Sequence, residues 1–213
     1  MKHLPTTIIN QIKNTLFIAC LIPFAKLQYA YFTDSIGPNP VANITHTTGI
    51  WSLNLLIVTL AISPVSKLTH WNWLMRLRRT IALYAFFYAS LHMMSYLIFD
   101  QFFDWSEINK DISRYPYLMA GLFSFVLMIP LAFTSTTEMV KRMGWRYWQM
   151  LHRLAYPVVA AAVLHYFWLV KQDITIPSIY AIILLALFFA RLTKTRRPLP
   201  NTLRIKSPRA MES

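Results

Sequence analysis

Cysteine, glycine and acidic side chains are all scarce in this chain, and each shortage excludes something. A single cysteine, Cys20, rules out an intrachain disulfide and any CxxC redox or metal motif. It lies in an apolar run and reads as a small residue facing lipid or a neighbouring helix. Four glycines in 213 residues form neither a GxGxxG nor a GxxxxGK[ST] pattern, so these residues encode no nucleotide-binding domain. Charged residues make up 14% of the chain, where a soluble domain carries about a quarter. Acidic residues number eight against 21 basic ones, for a net charge of +13. In a soluble protein that excess would suggest nucleic acid. Between long apolar runs it marks cytoplasmic loops instead, and no nucleic-acid partner is expected.

What the chain has in quantity is apolar and aromatic sequence, 56% and 15% respectively. A bilayer core about 30 Å thick needs roughly 20 apolar helical residues to cross it. Six runs fit, approximately at 10–31, 48–66, 80–99, 117–134, 151–170 and 176–191. They use up most of the chain and leave no room between them for a soluble domain. The first run is flanked by Lys2 and Lys13 but is long for a signal peptide, and no small-residue cleavage site follows it. It is read as a retained helix.

Lysine and arginine placement sets the orientation. The 67–79 loop holds Lys67, Arg76, Arg78 and Arg79, and the 135–150 loop holds Lys141, Arg142 and Arg146. The tail adds Arg191, Lys194, Arg196, Arg197, Arg204, Lys206 and Arg209. The alternate connections differ: 32–47 has Asp34 and no basic residue, and 100–116 has four acids against Lys110 and Arg114. An all-α bundle of six transmembrane helices with both termini cytoplasmic satisfies every loop. The expected division is a six-helix domain over 1–195 and a basic cytoplasmic tail over 196–213 lying along anionic lipid headgroups. Lys26 is expected to snorkel. Trp71, Trp73, Trp145, Trp148 and Trp168 fall near span ends, as interfacial anchors do. The hydroxyls of Thr134, Ser135, Thr136 and Thr137 are expected to cap or end helices rather than to act as nucleophiles.

Three of the six histidines fall where a bilayer should exclude ionisable groups: His92 in the third span, and His152 and His165 at opposite ends of the fifth. Such residues face the bundle interior and mark function, although any one of them could simply bond a neighbouring helix. Neutral imidazole suits a metal, haem iron in particular. His92 lies 13 residues past Arg79, as His165 does past His152, and 13 residues of helix rise roughly 20 Å. His92 and His165 thus share a depth near the periplasmic face and could clamp one haem. His152 lies near the cytoplasmic face, where a second haem could sit. A straight helix would leave His152 and His165 some 140° apart, with Pro157 between them as a possible kink. Arg79 occupies the place where a partner for His152 would be expected, and His70 is a weak substitute. No cysteine or carboxylate accompanies these histidines in sequence, which disfavours a zinc or copper site. Arg78, with Arg79, is a candidate for a haem propionate or a flavin phosphate, or else a plain topology marker. His46, in the loop before the second span, is read as a solvated histidine or a quinone headgroup ligand.

Three segments carry a family resemblance: Arg78-Arg79-Thr80 through His92; Leu131-Ala132-Phe133-Thr134-Ser135; and Gly144 through Trp168, with Leu151-His152-Arg153 and Leu164-His165-Tyr166. Together with the length and six-span layout, they resemble the MsrQ family, the haem-binding membrane subunits of bacterial periplasmic methionine-sulfoxide reductase systems. That family sits in the ferric-reductase-like transmembrane group beside the NADPH oxidases. Larger members pair histidines on two helices and carry a cytosolic flavin and nicotinamide domain. This chain has Arg79 in the fourth histidine place and no such domain. The resemblance implies haem b, one or two per chain, and bound FMN. It implies electrons from the quinol pool, with a cytosolic flavin reductase as another possible donor. It also implies a periplasmic molybdenum-containing methionine-sulfoxide reductase as acceptor, and the bacterial inner membrane as location. Two other readings stand beside it: a stand-alone ferric or cupric reductase, and a transporter whose histidines relay protons.

Overall fold

The computed structural model describes residues 5–192, and every regular element among them is helical. The basic tail 196–213 and the domain boundary at 195 lie outside the described residues. In chain order the helices are α1 (Thr6–Phe32), α2 (Pro40–Thr69), α3 (Arg78–Ser95, extended by a π turn over Tyr96–Asp100), α4 (Trp105–Arg114), α5 (Pro116–Phe133), α6 (Thr137–Met143), α7 (Trp145–Leu151), α8 (Ala155–Leu169) and α9 (Thr175–Leu192). Each expected span overlaps one of these helices. Four segments, α1, α2, α3 with its π turn, and α5, are long and apolar enough to cross a membrane, while α9 is apolar but shorter. Large apolar side chains such as Ile18, Phe133 and Leu185 point outward, as they do in a bundle solvated by lipid.

Two boundaries differ from the sequence reading. The second span begins well before residue 48, because Pro40 opens α2 and the Asn39 side chain accepts from Ala42 N–H at 3.1 Å. An asparagine cap followed by proline is a strong helix start. His46 therefore sits in the first turns of a helix and not in a loop. The fifth span is interrupted: α7 leads into a 3₁₀ turn at His152–Leu154 before α8 begins. Pro157 has no N–H to offer the carbonyl of Arg153 one turn earlier, so the regular ladder is broken there. Thr136 caps α6 by accepting from Met139 N–H at 3.2 Å, as expected of that hydroxyl run.

The bundle is two helical hairpins, α2 with α3 and α5 with α8, packed against each other through α3 and α5, with α1 and α9 on the outside. Leu60, Ala85, Tyr88, Val158 and Val159 form the most enclosed part of the core. Polar staples run between helices as hydroxyls bonded to backbone. Ser52 donates to Ala85 O at 3.0 Å and Ser124 to Val158 O at 2.9 Å. Cys20 is buried in this core, facing helices rather than lipid. Lys26 lines an open groove of about 490 Å³ between α1 and α2, together with Asn43, Thr47 and Trp51.

Tyr88 holds α1 in place. Its hydroxyl donates to Cys20 O at 2.7 Å and accepts from Phe24 N–H at 3.1 Å. It thereby replaces a rung of the α1 ladder beside Pro23, where an inserted side chain bends a helix. Replacing Tyr88 by Phe is expected to cost about 1–3 kcal/mol, because it strands buried backbone groups. Thermal unfolding in detergent checks this; an unchanged midpoint would show that the ladder closes by itself.

Candidate functional site

His92, on α3, and His165, on α8, face each other across the junction of the two hairpins. Their ring centres are 6.0 Å apart and their planes cross at 78°. Each ring is pinned through Nδ1: His92 to the carbonyl of Thr45 at 2.8 Å, His165 to the carbonyl of Tyr117 at 2.7 Å. A carbonyl only accepts, so Nδ1 carries the proton in both rings and Nε2 keeps its lone pair. That is the arrangement by which proteins fix a metal-binding histidine.

Two metal–imidazole bonds of about 2.0–2.1 Å, each extended by roughly half a ring, put ring centres about 6 Å apart. The observed separation fits a single iron held axially from both sides. Among the described residues no cluster of three or more His, Cys, Asp or Glu gathers. A zinc or copper ion would lack protein ligands there, whereas a haem iron takes its four equatorial donors from the porphyrin. A cavity of about 300 Å³ opens beside His92, lined among others by Asn39, His46, Asp100 and Leu169.

His152 stands apart from this pair. Its ring stacks on Trp148 with centres 4.1 Å apart, and its Nε2 lies 3.1 Å from Thr134 Oγ1. The Thr134 hydroxyl donates its one proton to Pro130 O at 2.6 Å. His152 must therefore be the donor to Thr134, and its free lone pair is on Nδ1. The two arginines also separate. Arg78 is half-buried, with Nη1 3.5 Å from Ser63 Oγ, while Arg79 is exposed. Arg78 lies close enough to His152 to interact with it electrostatically. His70 ends α2 in the left-handed region and is exposed.

The family model described as ferric reductase like transmembrane component matches residues 48–163, from α2 into α8. The protein-methionine-sulfoxide reductase haem-binding subunit MsrQ of Herminiimonas arsenicoxydans is 49% identical over 182 residues, 84% of each chain. This chain belongs to the MsrQ family of ferric-reductase-like membrane proteins. The MsrQ of Azospira oryzae is 42% identical over 190 residues, covering 89% of this chain and 82% of that one. That of Ralstonia nicotianae is 42% identical over 190 residues, 88% of each. The resemblance drawn from short motifs thus extends over most of the chain, and with it the class of fold, a multi-pass all-α membrane bundle.

In this MsrQ-family chain the facing histidines are legible in the sequence, but what positions them is not. The carbonyls of Thr45 and Tyr117 leave no trace in residue identity, because any residue could supply them. Arg191 was counted with the tail, yet it reaches into the bundle. Its Nη2 donates to Leu60 O at 2.7 Å, its Nη1 bonds the Tyr156 hydroxyl, and its guanidinium lies over the Tyr156 ring. The available signal was an arginine at the end of an apolar helix, one turn after Phe188, facing a proline-broken partner helix.

Proposed function

We propose that this chain is the haem-binding electron-transfer subunit of a protein-methionine-sulfoxide reductase system in the bacterial inner membrane. It crosses that membrane six times with both termini in the cytoplasm. It takes electrons from the quinol pool and passes them to a periplasmic molybdenum-containing reductase that repairs oxidised methionine in envelope proteins. The observation that carries this reading is the pair of imidazoles, His92 and His165, set at iron-bridging distance with both Nε2 lone pairs available. The shared identity with haem-binding subunits supports it.

His92 and His165 would hold haem b, which when bound supplies reversible one-electron carriage. The chain's own contribution is to fix the two rings through backbone carbonyls and to seat them between two packed hairpins. In this orientation the cavity lined by Asn39, His46 and Asp100, among others, would open the site toward the periplasm. His152 is a candidate ligand for a second haem near the cytoplasmic face, with a ligand or water in the place of a fourth histidine. Arg78 is the nearby cation for a propionate or the phosphate of FMN. A cytosolic flavin reductase is a further candidate donor.

The test is the visible spectrum of detergent-purified protein, oxidised and dithionite-reduced, with a pyridine haemochrome for stoichiometry. A sharp reduced α band of six-coordinate haem b is expected. Colourless protein from haem-supplied cells would overturn the reading in favour of a histidine proton relay. Mixing the reduced protein with ferric chelates and with the periplasmic reductase separates the relay from a stand-alone metal reductase. His152→Ala is expected to remove a smaller or separate part of the spectrum. An unaltered spectrum together with unaltered activity would take His152 off the ligand list.

A further inference from the structure

The four glycines fall into two pairs. Gly37 and Gly144 have positive φ angles, 100° and 79°, and serve turns. Gly49 and Gly121 lie inside α2 and α5, where glycine weakens a helix by roughly 1 kcal/mol relative to alanine. Both sit under a ligand imidazole. A Cβ on Gly49 would lie 3.0 Å from His92 Nδ1 and 3.1 Å from its Cε1. A Cβ on Gly121 would lie 2.7 Å from His165 Nδ1 and 3.0 Å from its Cε1.

These contacts belong to a unit that occurs twice. In α2 the carbonyl of Thr45 is followed four residues later by Gly49 and three later by Ser52, whose hydroxyl holds Ala85 O, seven residues before His92. In α5 the carbonyl of Tyr117 is followed by Gly121 and then Ser124 at the same spacings, and Ser124 holds Val158 O, seven residues before His165. The serine staples each helix pair close together, the glycine lets the ring lie against the opposite backbone, and the carbonyl fixes its rotation. Neither ring can retreat, because its Nδ1 bond holds one edge and the other imidazole lies ahead.

Resting on the haem reading, we propose that Gly49 and Gly121 are positioning residues: bare seats in a duplicated unit that hold the two axial imidazoles nearly perpendicular. Perpendicular axial planes leave the iron orbitals close to degenerate. The oxidised haem then gives a highly anisotropic low-spin electron paramagnetic resonance signal with one large g value, whereas parallel planes give an ordinary rhombic signal.

The experiment uses the full chain, purified with haem in mild detergent, as wild type, Gly49→Ala and Gly121→Ala. Paramagnetic resonance spectra, redox midpoints and haem content are read on each. The wild type should give the large-g signal. Gly121→Ala should lose that signal in favour of a rhombic or high-spin one, with a shifted midpoint and a several-fold loss of haem. Gly49→Ala should change in the same direction by less, since its added methyl has more room. Folded alanine variants that keep the wild-type signal, midpoint and haem content would overturn the proposal. If the alanine variants do not fold, the wild type alone decides: a large-g signal supports perpendicular seats and a rhombic one overturns them. Colourless wild-type protein would defeat the haem reading itself, a separate outcome.

Discussion

His165→Ala, purified from haem-supplied cells, is expected to lose haem at least 10–100-fold relative to wild type while inserting normally in the membrane. His92→Ala is expected to behave the same way. That range is the usual cost of removing only a partner that supports a metal ligand, so it is a floor for removing a ligand. The expectation rests on the isolation of the pair. No third histidine, cysteine or carboxylate joins them into a metal-binding cluster among the described residues; His46 and Asp100 line the cavity beside His92 without forming such a cluster, so neither stands ready as a replacement ligand. Insertion should survive, because each ring contributes no staple between hairpins: its one hydrogen bond goes to its own hairpin's carbonyl. Haemochrome per mole of protein is the readout, with the elution profile as control for folding. Unchanged haem in both variants would defeat the assignment.

Arg191→Ala should produce the largest loss of stability away from the histidines. Pro64 has no N–H, so the carbonyl of Leu60, one turn earlier in α2, lacks its helical donor. Arg191 supplies that donor from α9 at 2.7 Å, and its other amino group bonds Tyr156 on α8. One side chain thus ties α9 to two other helices and satisfies a carbonyl that is deeply buried. Hydrogen bonds from a charged group are worth about 1.5–3 kcal/mol. At about 2–4 °C per kcal/mol for a chain of this size, the thermal midpoint should fall by roughly 3–12 °C. Arg191→Lys should recover part of the loss, since an ammonium keeps the charge but cannot span both partners as the guanidinium fork does. A midpoint within error of wild type for Arg191→Ala would mean that lipid or another group satisfies Leu60 equally well.

The long apolar helices, and the closeness of His92 and His165, were legible because both rest on coarse regularities: the length of apolar runs and the rise of a helix. Equal distance from Arg79 and His152 was enough to put two rings at one depth. The phase of His152 was not legible, because a 3₁₀ turn at His152–Leu154 resets the helix, and no periodicity reports a local break. The start of α2 was written in Asn39-Pro40, a cap and a first-turn proline, but its polar residues Asn43, Thr45, His46 and Thr47 look like loop. They lie in helix because α3 and α1 pack against that stretch. Arg78 and Arg79 are indistinguishable as a charge pair, and only the helix direction decides which one turns inward. Gly49 and Gly121 carried a signal that could have been used. A glycine inside an apolar helix is unfavourable by itself, and both precede a serine by three residues.

The separate anchoring of each ring bears on how the protein matures. The α2–α3 hairpin, which holds both His92 and its Thr45 anchor, precedes α5 and α8 in the chain and so leaves the ribosome first. The second hairpin later brings His165 docked on Tyr117. Each half carries its own imidazole and that imidazole's carbonyl anchor, and only the docking of one hairpin on the other brings the two rings face to face. Under the proposed haem reading, cofactor capture would await that docking, and pigment would report correct mating of the halves.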